Sequence, residues 1–166
     1  MKSKVLALIL LCGAASLGAK VKLPALVGDN MILQQQTEVK LWGTAAPEAE
    51  VRVTPSWNGQ TMTCRADKDG GWTLAVETPA AGYTPYEITF DDGEKTTLKN
   101  ILIGEVWLAS GQSNMEMPLK GFAGCCIMNG ADDIIVSAEN KGVRMFTVPK
   151  HQTYELQTDC KGSWNI

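Results

Sequence analysis

The sequence predicts a mostly β protein in two parts. Residues 20–103 read as an antiparallel β-sandwich. From residue 104 the chain reads as the start of an α/β domain that residues 104–166 leave incomplete. Three observations lead there. Turn signals such as Asn58-Gly59, Asp69-Gly70-Gly71 and Asp91-Asp92-Gly93 recur roughly every ten residues, the spacing of a small sandwich. No helical period of apolar residues runs through that region. At Asn100 the texture then changes: Ile101-Leu102-Ile103 and Val106-Trp107-Leu108-Ala109 are continuous apolar runs, the pattern of strands buried on both faces.

Taken in order, Val39-Lys40-Leu41-Trp42-Gly43 alternates weakly and Glu50-Val51-Arg52-Val53-Thr54 cleanly. Asn58-Gly59 favours positive φ and marks a hairpin into the strand 60–66. Residues 72–77 and 86–90 are further strands, separated by a proline-bounded loop at 79–85, and Asp91-Asp92-Gly93 turns into a last strand at 95–98. Beyond the run at 106–109 comes a glycine-rich loop. A short helix is expected over 129–138, with Asn129 as cap and Asp132 and Asp133 in its first turn. Residues 143–148 form the next strand, stopped by Pro149, which would complete one βαβ unit. A lone unit cannot close a core.

Hydrophobic residues make up 45% and charged residues 20% of the 166 residues, so the chain should fold as a globular protein. A net charge of −3 with no basic run argues against nucleic acid or an anionic membrane as partner. Residues 1–19 have the layout of a secretory signal peptide: Lys2 and Lys4, an apolar stretch from Val5 to Leu11, then small residues to Ala19. Cleavage after Ala19 is expected, with Ala15 and Gly18 as alternatives, and the destination is periplasmic or extracellular. The stretch is too short to span a bilayer and no other is long enough. Export means an oxidising compartment. A bridge from Cys125 or Cys126 to Cys160 and buried free thiols remain equal alternatives for the cysteines, and with His151 as the sole histidine the spacing fits no zinc site.

The segment 104–119, GEVWLASGQSNMEMPL, drives an apolar run into a small polar turn. A serine nucleophile needs a sharp turn, free N–H groups for an oxyanion, a base, and a group that orients the base. Gly111 permits the tight bend, and Gln112 and Asn114 put amides beside Ser113. The lipase-type Gly-x-Ser-x-Gly elbow is absent, because Met115 stands where that pattern has glycine. Such a serine is also a common turn residue. His151, in the polar stretch Lys150-His151-Gln152-Thr153, reads as an exposed loop histidine.

GEVWLASGQSNMEMPL resembles the signature of the sialate O-acetylesterases, a branch of the SGNH (GDSL-like) hydrolases. KGVRMFTVPK and the D-x-x-G-x-W-like stretch Asp159-Cys160-Lys161-Gly162-Ser163-Trp164 resemble the same family in the same order. Upstream, Leu33-Gln34-Gln35 and Asp69-Gly70-Gly71-Trp72 resemble its N-terminal β-domain. The resemblance implies a secreted or periplasmic carbohydrate esterase acting on O-acetylated sialic acids or related sugars, with an SGNH-type α/β domain and no metal or organic cofactor. It makes Ser113 the nucleophile, with Gln112 and Asn114 as candidate oxyanion or substrate contacts. The family's base and its aspartate come from a D-x-x-H motif. Here Val148 occupies the aspartate position relative to His151, so the motif is missing. The chain therefore reads as the N-terminal part of a longer enzyme, with little or no turnover of its own.

The alternative is a non-catalytic carbohydrate-binding β-sandwich, which would need nothing beyond residue 103. Trp42, Trp57 and Trp72 read as packing residues, Trp107 as core beneath the serine turn, and Met115 and Met117 as residues lining or packing the cleft. Glu105 and Glu116 flank the motif with no sign of a carboxylate pair.

Overall fold

The computed structural model describes residues 20–118, 120–125, 130–138, 140 and 142–166. The leader expected over 1–19, Cys126 and the Asn129 cap lie outside the described residues. The strands are β1 (Ile32–Gln34), β2 (Glu38–Thr44), β3 (Glu50–Pro55), β4 (Met62–Arg65), β5 (Gly71–Glu77), β6 (Gly82–Asp91) and β7 (Lys95–Gly104). After them come a 3-10 turn (Ser113–Met115), the helix α1 (Gly130–Ser137), β8 (Met145–Phe146) and β9 (Trp164–Asn165). A curled five-stranded sheet has the order β1-β7-β6-β3-β4. The strands β2 and β5 form a separate ribbon, and β8 and β9 a short hairpin.

Alternation decides which face of each strand is buried. In β3, Val51 and Val53 point inward while Glu50 and Arg52 face water. In β5, Trp72, Leu74 and Val76 are buried and Thr73, Ala75 and Glu77 exposed. The two sheets share one core, to which the ribbon contributes Leu41, Trp72, Leu74 and Val76. The five-stranded sheet supplies Val51, Val53, Ile88, Phe90, Ile101 and Ile103. The rings of Trp72 and Phe90 meet at 5.8 Å and 47° across the gap, a tilted contact that adds to area burial. Gly43, opposite Trp72 in register, has no room for a side chain. A Cβ there would collide with the Lys22 carbonyl and lie 2.9 Å from Trp72 Cζ2.

The change of texture at Asn100 is a β-bulge. Pairing passes from Ile88↔Leu98 to Tyr86↔Ile101, so β7 spends one residue more than β6. Asn100 takes φ 59°, a left-handed conformation that asparagine tolerates. The bulge rephases the strand, so Leu98, Ile101 and Ile103 all reach the core. Leu102 points away from it and is buried beside Tyr83, Arg144 and Ile166. The run 101–103 is thus buried on both faces, as its composition implies.

The predicted hairpin β3–β4 forms, with Gly59 at φ 67°. The first sheet is not wholly antiparallel, because β1 joins β7 in parallel. At three residues β1 is too short to show a period. The larger departures lie beyond residue 104. Residues 106–109 form no strand; Trp107 is 86% and Leu108 94% exposed, so Trp107 is not core beneath the serine turn. A strand buried on both faces needs neighbours and covering helices. Among the described residues, the strand that follows, β8, pairs antiparallel with β9 instead. It keeps two residues of the predicted 143–148, so no parallel βαβ unit closes here. Helix α1 forms nearly where expected, with Asp132 and Asp133 in its first turn. No helix among the described residues is long and apolar enough to cross a membrane.

The D-x-x-G-x-W stretch has a structural job at each fixed position. Both carboxylate oxygens of Asp159 accept the Ala25 N–H, at 3.1 and 3.3 Å. Gly162 sits at φ 148°, where a Cβ would press into the Phe146 ring at 2.6 Å. Trp164 packs edge-on against Phe146 at 5.4 Å and donates its indole N–H to the Leu26 carbonyl at 2.9 Å. The motif docks the β8–β9 hairpin on the chain's N-terminal loop.

Phe90 is fully buried, so Phe90→Ala should cost about 3–5 kcal/mol of stability in urea unfolding. Leu108→Ala should change it by less than about 0.5 kcal/mol, because Leu108 is exposed. A core-sized loss at Leu108 would restore the buried strand that the structure lacks.

Candidate active site

Strand β7 ends at Gly104, and the next two residues are held by side chains rather than by a sheet. Glu105 accepts from the Gln35 side-chain amide at 2.6 Å and from that of Gln34 at 3.0 Å, one on each oxygen. Both glutamines use their carbonyl ends as well. Gln34 Oε1 accepts the Val106 N–H at 2.9 Å, and Gln35 Oε1 the Ala81 N–H at 2.8 Å. The Gln35 backbone N–H donates to the Gly104 carbonyl at 2.9 Å. Parallel pairing of β1 with β7, Gln34 opposite Gly104, brings this doublet alongside the exit of β7. Amide donation from Gln35, and then from Gln34, holds the Glu105 carboxyl below its ordinary range, because both bonds favour the ionised form.

From this anchor the chain runs exposed to Ser113, the first residue of the 3-10 turn. The Met115 N–H donates to the Gln112 carbonyl at 2.9 Å and the Glu116 N–H to that of Ser113 at 3.1 Å. A Cβ at Gly111 would come within 2.9 Å of Met115 Cγ, so a larger residue there would push the exposed Met115 side chain aside. Gln112 occupies the cap position with extended backbone and makes no side-chain cap bond. The Ser113 hydroxyl is exposed and has no hydrogen-bond partner among the described residues. Such a turn leaves its leading N–H groups unpaired within it, so donors lie next to the hydroxyl. The Asn114 side chain lies outside the described residues.

Lys150 reaches Glu116 at 2.5 Å, an exposed ion pair of small energetic weight that lays the segment around 150 against the turn. His151, the next residue, is exposed and makes no hydrogen bond or ion pair among the described residues. No group of three metal-ligating side chains exists among the described residues. Cys125 and Cys160 are free thiols, so these two do not bridge. Cys64 is free too, and partial burial pushes its thiol up. Met115 is exposed and Met117 half-buried, and neither lines a cavity described below.

Sequence reasoning missed two anchoring groups. One is the Gln34–Gln35–Glu105 clamp: the stretch Leu33-Gln34-Gln35 stands out as a motif, but nothing in it points to Glu105 as the partner of its amides. The other centres on Asn100. Arg144 donates one η-nitrogen to its carbonyl and the other to its Oδ1 at 2.9 Å. The Asn100 amide in turn donates to Asn30 Oδ1 at 2.7 Å. Asn30, like Asn100, has positive φ, and its N–H bonds the Lys99 carbonyl at 3.0 Å.

The chain matches no family model. It is 27% identical over 175 residues to the sialate O-acetylesterase of Rattus norvegicus, covering 96% of this chain and 31% of that protein. The Homo sapiens sialate O-acetylesterase is 29% identical over 161 residues, covering 90% of this chain and 29% of the relative. Among solved structures, a carbohydrate acetylesterase from Xanthomonas citri superimposes with a TM-score of 0.77 and 32% identity, over 87% of this chain and 32% of that one. The chain thus spans about a third of the length of the proteins it matches.

The clamp predicts a titration. The Glu105 carboxyl should titrate below the ordinary glutamate value of about 4.3, and Gln35→Leu should move it back toward that value. Because the folded value is depressed, the clamp's contribution is complete above the unfolded pKa and is lost as pH falls through the folded one. Carboxyl-detected NMR of both proteins reads the shift. Equal midpoints would mean the amides do not hold the carboxylate.

Proposed function

Because the chain is a homologue of the sialate O-acetylesterases over nearly its whole length, we propose that it carries the nucleophile of a carbohydrate acetylesterase, Ser113. The observation that carries this reading is the state of that side chain. It stands exposed and unpartnered at the first position of a tight turn, on a segment anchored to the β fold by Glu105. The same reading takes residues 20–103 as a β-sandwich and 104–166 as the start of an SGNH-type α/β domain. Residues 1–19 serve as its export signal.

In the proposed reaction Ser113 Oγ attacks the acetyl carbonyl of an O-acetylated sialic acid or related sugar. A histidine takes the hydroxyl proton and returns it to the departing sugar oxygen. Water then cleaves the acetyl-serine. In this reading the Ser113 N–H donates to the oxyanion, with Gln112 and Asn114 as further candidate donors. No D-x-x-H occurs in these 166 residues, and Val148 holds the place an aspartate would need for His151. We therefore assign the base and its orienting acid to sequence outside them.

The test compares acetate release from O-acetylated N-acetylneuraminic acid by two proteins, the 166 residues alone and the same residues with downstream sequence through a D-x-x-H. The longer protein should turn over, and Ser113→Ala should lower its kcat/KM by at least about 10³-fold. The 166 residues alone should match the Ser113→Ala background. Undiminished turnover in Ser113→Ala would end the assignment of the nucleophile.

A further inference from the structure

A concave site lies on the outer face of the β2–β5 ribbon and shares no lining residue with the serine segment. Its volume is about 560 Å³, inside the range of about 300–1,000 Å³ that ligand pockets occupy. Strand register fixes the floor. Trp42 and Thr73 are cross-strand partners, and both side chains point away from the core. One step along the same face, about 6.6 Å away at strand spacing, Thr44 stands opposite Gly71. Lys22 bridges to Thr44 on its other side. Arg65, at the end of β4, and Asp159, fixed on the Ala25 N–H, line the walls.

The chemistry of this lining is selective. Trp42 is 36% exposed, so the outward indole that reads from sequence as packing offers a partly open ring face. The acids are already engaged. Asp67 accepts the Asp69 and Gly71 N–H groups at 2.8 Å each, and Asp159 those of Ala25 and Cys160. The cations are held less. Lys22 has no ion-pair partner among the described residues, and Arg65 makes only a long, exposed ion pair with Glu48 at 3.8 Å, of small energetic weight. Trp72 also lines the cleft and keeps a buried indole N–H without a partner. A flat apolar platform suits the carbon face of a pyranose, and an unpaired lysine with a weakly paired arginine beside it suits a carboxylate. A neutral sugar would leave both cations unused, and a plain anion would leave the indole unused.

We propose that this cleft binds a pyranose bearing a carboxylate, with Trp42 beneath the ring and Lys22 and Arg65 on the acid group. It is a glycan-holding site separate from Ser113, and it stands whether or not Ser113 is a nucleophile. A hexuronic acid and a sialic acid share the required chemistry.

The test uses the full chain with Ser113→Ala and follows the Trp42 indole N–H by NMR, assigned from its loss in Trp42→Ala. Three probes are titrated: methyl β-glucuronide, the methyl α-glycoside of N-acetylneuraminic acid, and methyl β-glucoside. At least one acidic glycoside should shift the Trp42 resonance saturably and bind about tenfold or more tightly than the glucoside. Whichever acidic glycoside does so identifies the source. The double variant Lys22→Gln, Arg65→Gln changes two exposed side chains and should erase that preference. Equal binding of the neutral sugar, a preference that survives the double variant, or no shift with any probe would each overturn the proposal. None of the probes carries an O-acetyl ester, so either outcome leaves the esterase reading to its own test.

Discussion

The whole serine segment depends on how Glu105 is held. Sheet hydrogen bonding stops at Gly104, and nothing in the backbone ladder dictates where the chain goes next. Four side-chain bonds from Gln34 and Gln35 replace the ladder, two to the carboxylate and two from the backbone N–H groups of Val106 and Ala81. They are available only because β1 lies parallel to β7 and ends level with it. A polar clamp at the rim of an apolar core lets a rigid sheet present a solvent-facing turn. The turn needs no strand of its own.

The same logic recurs at the chain's far end. Arg144 on Asn100, Asp159 on Ala25 and Trp164 on Leu26 stitch the last residues to β7 and to the N-terminal loop through hydrogen bonds to backbone atoms. Those stitches close one wall of the ribbon cleft and cover Leu102 on the outer face of β7. Residues 143–166 are thus organised by the β fold they rest on. This explains why β8 pairs with β9 rather than joining a parallel sheet.

Most of the β fold was legible in the sequence, for a physical reason. Strands such as β3 and β5 bury one face, and burying one face imposes a period of two. The Asn58-Gly59 turn announced its hairpin by backbone chemistry. What escaped was non-local. β1 is three residues long, and its worth lies in its neighbour. The Asn100 bulge is a matter of register between two strands, which composition does not report. Residues 106–109 misled because composition reports a preference for burial, whereas burial needs partners. The turn at Ser113 was legible, since the small polar residues that end the apolar run do form one. The Glu105 clamp was not, because a glutamine doublet carries no periodic signal.

The proposed role of Ser113, an acyl acceptor presented by the β fold, is tested most directly by trapping the acyl-enzyme. A protein carrying these residues and a downstream D-x-x-H would be mixed with an O-acetylated sialic acid, quenched in acid within the turnover time and digested for mass spectrometry. The account predicts an acetyl group on the peptide containing Ser113, located on that residue and absent when the substrate lacks the ester. An acetyl group on another side chain, or none on this peptide while acetate is released, would contradict it.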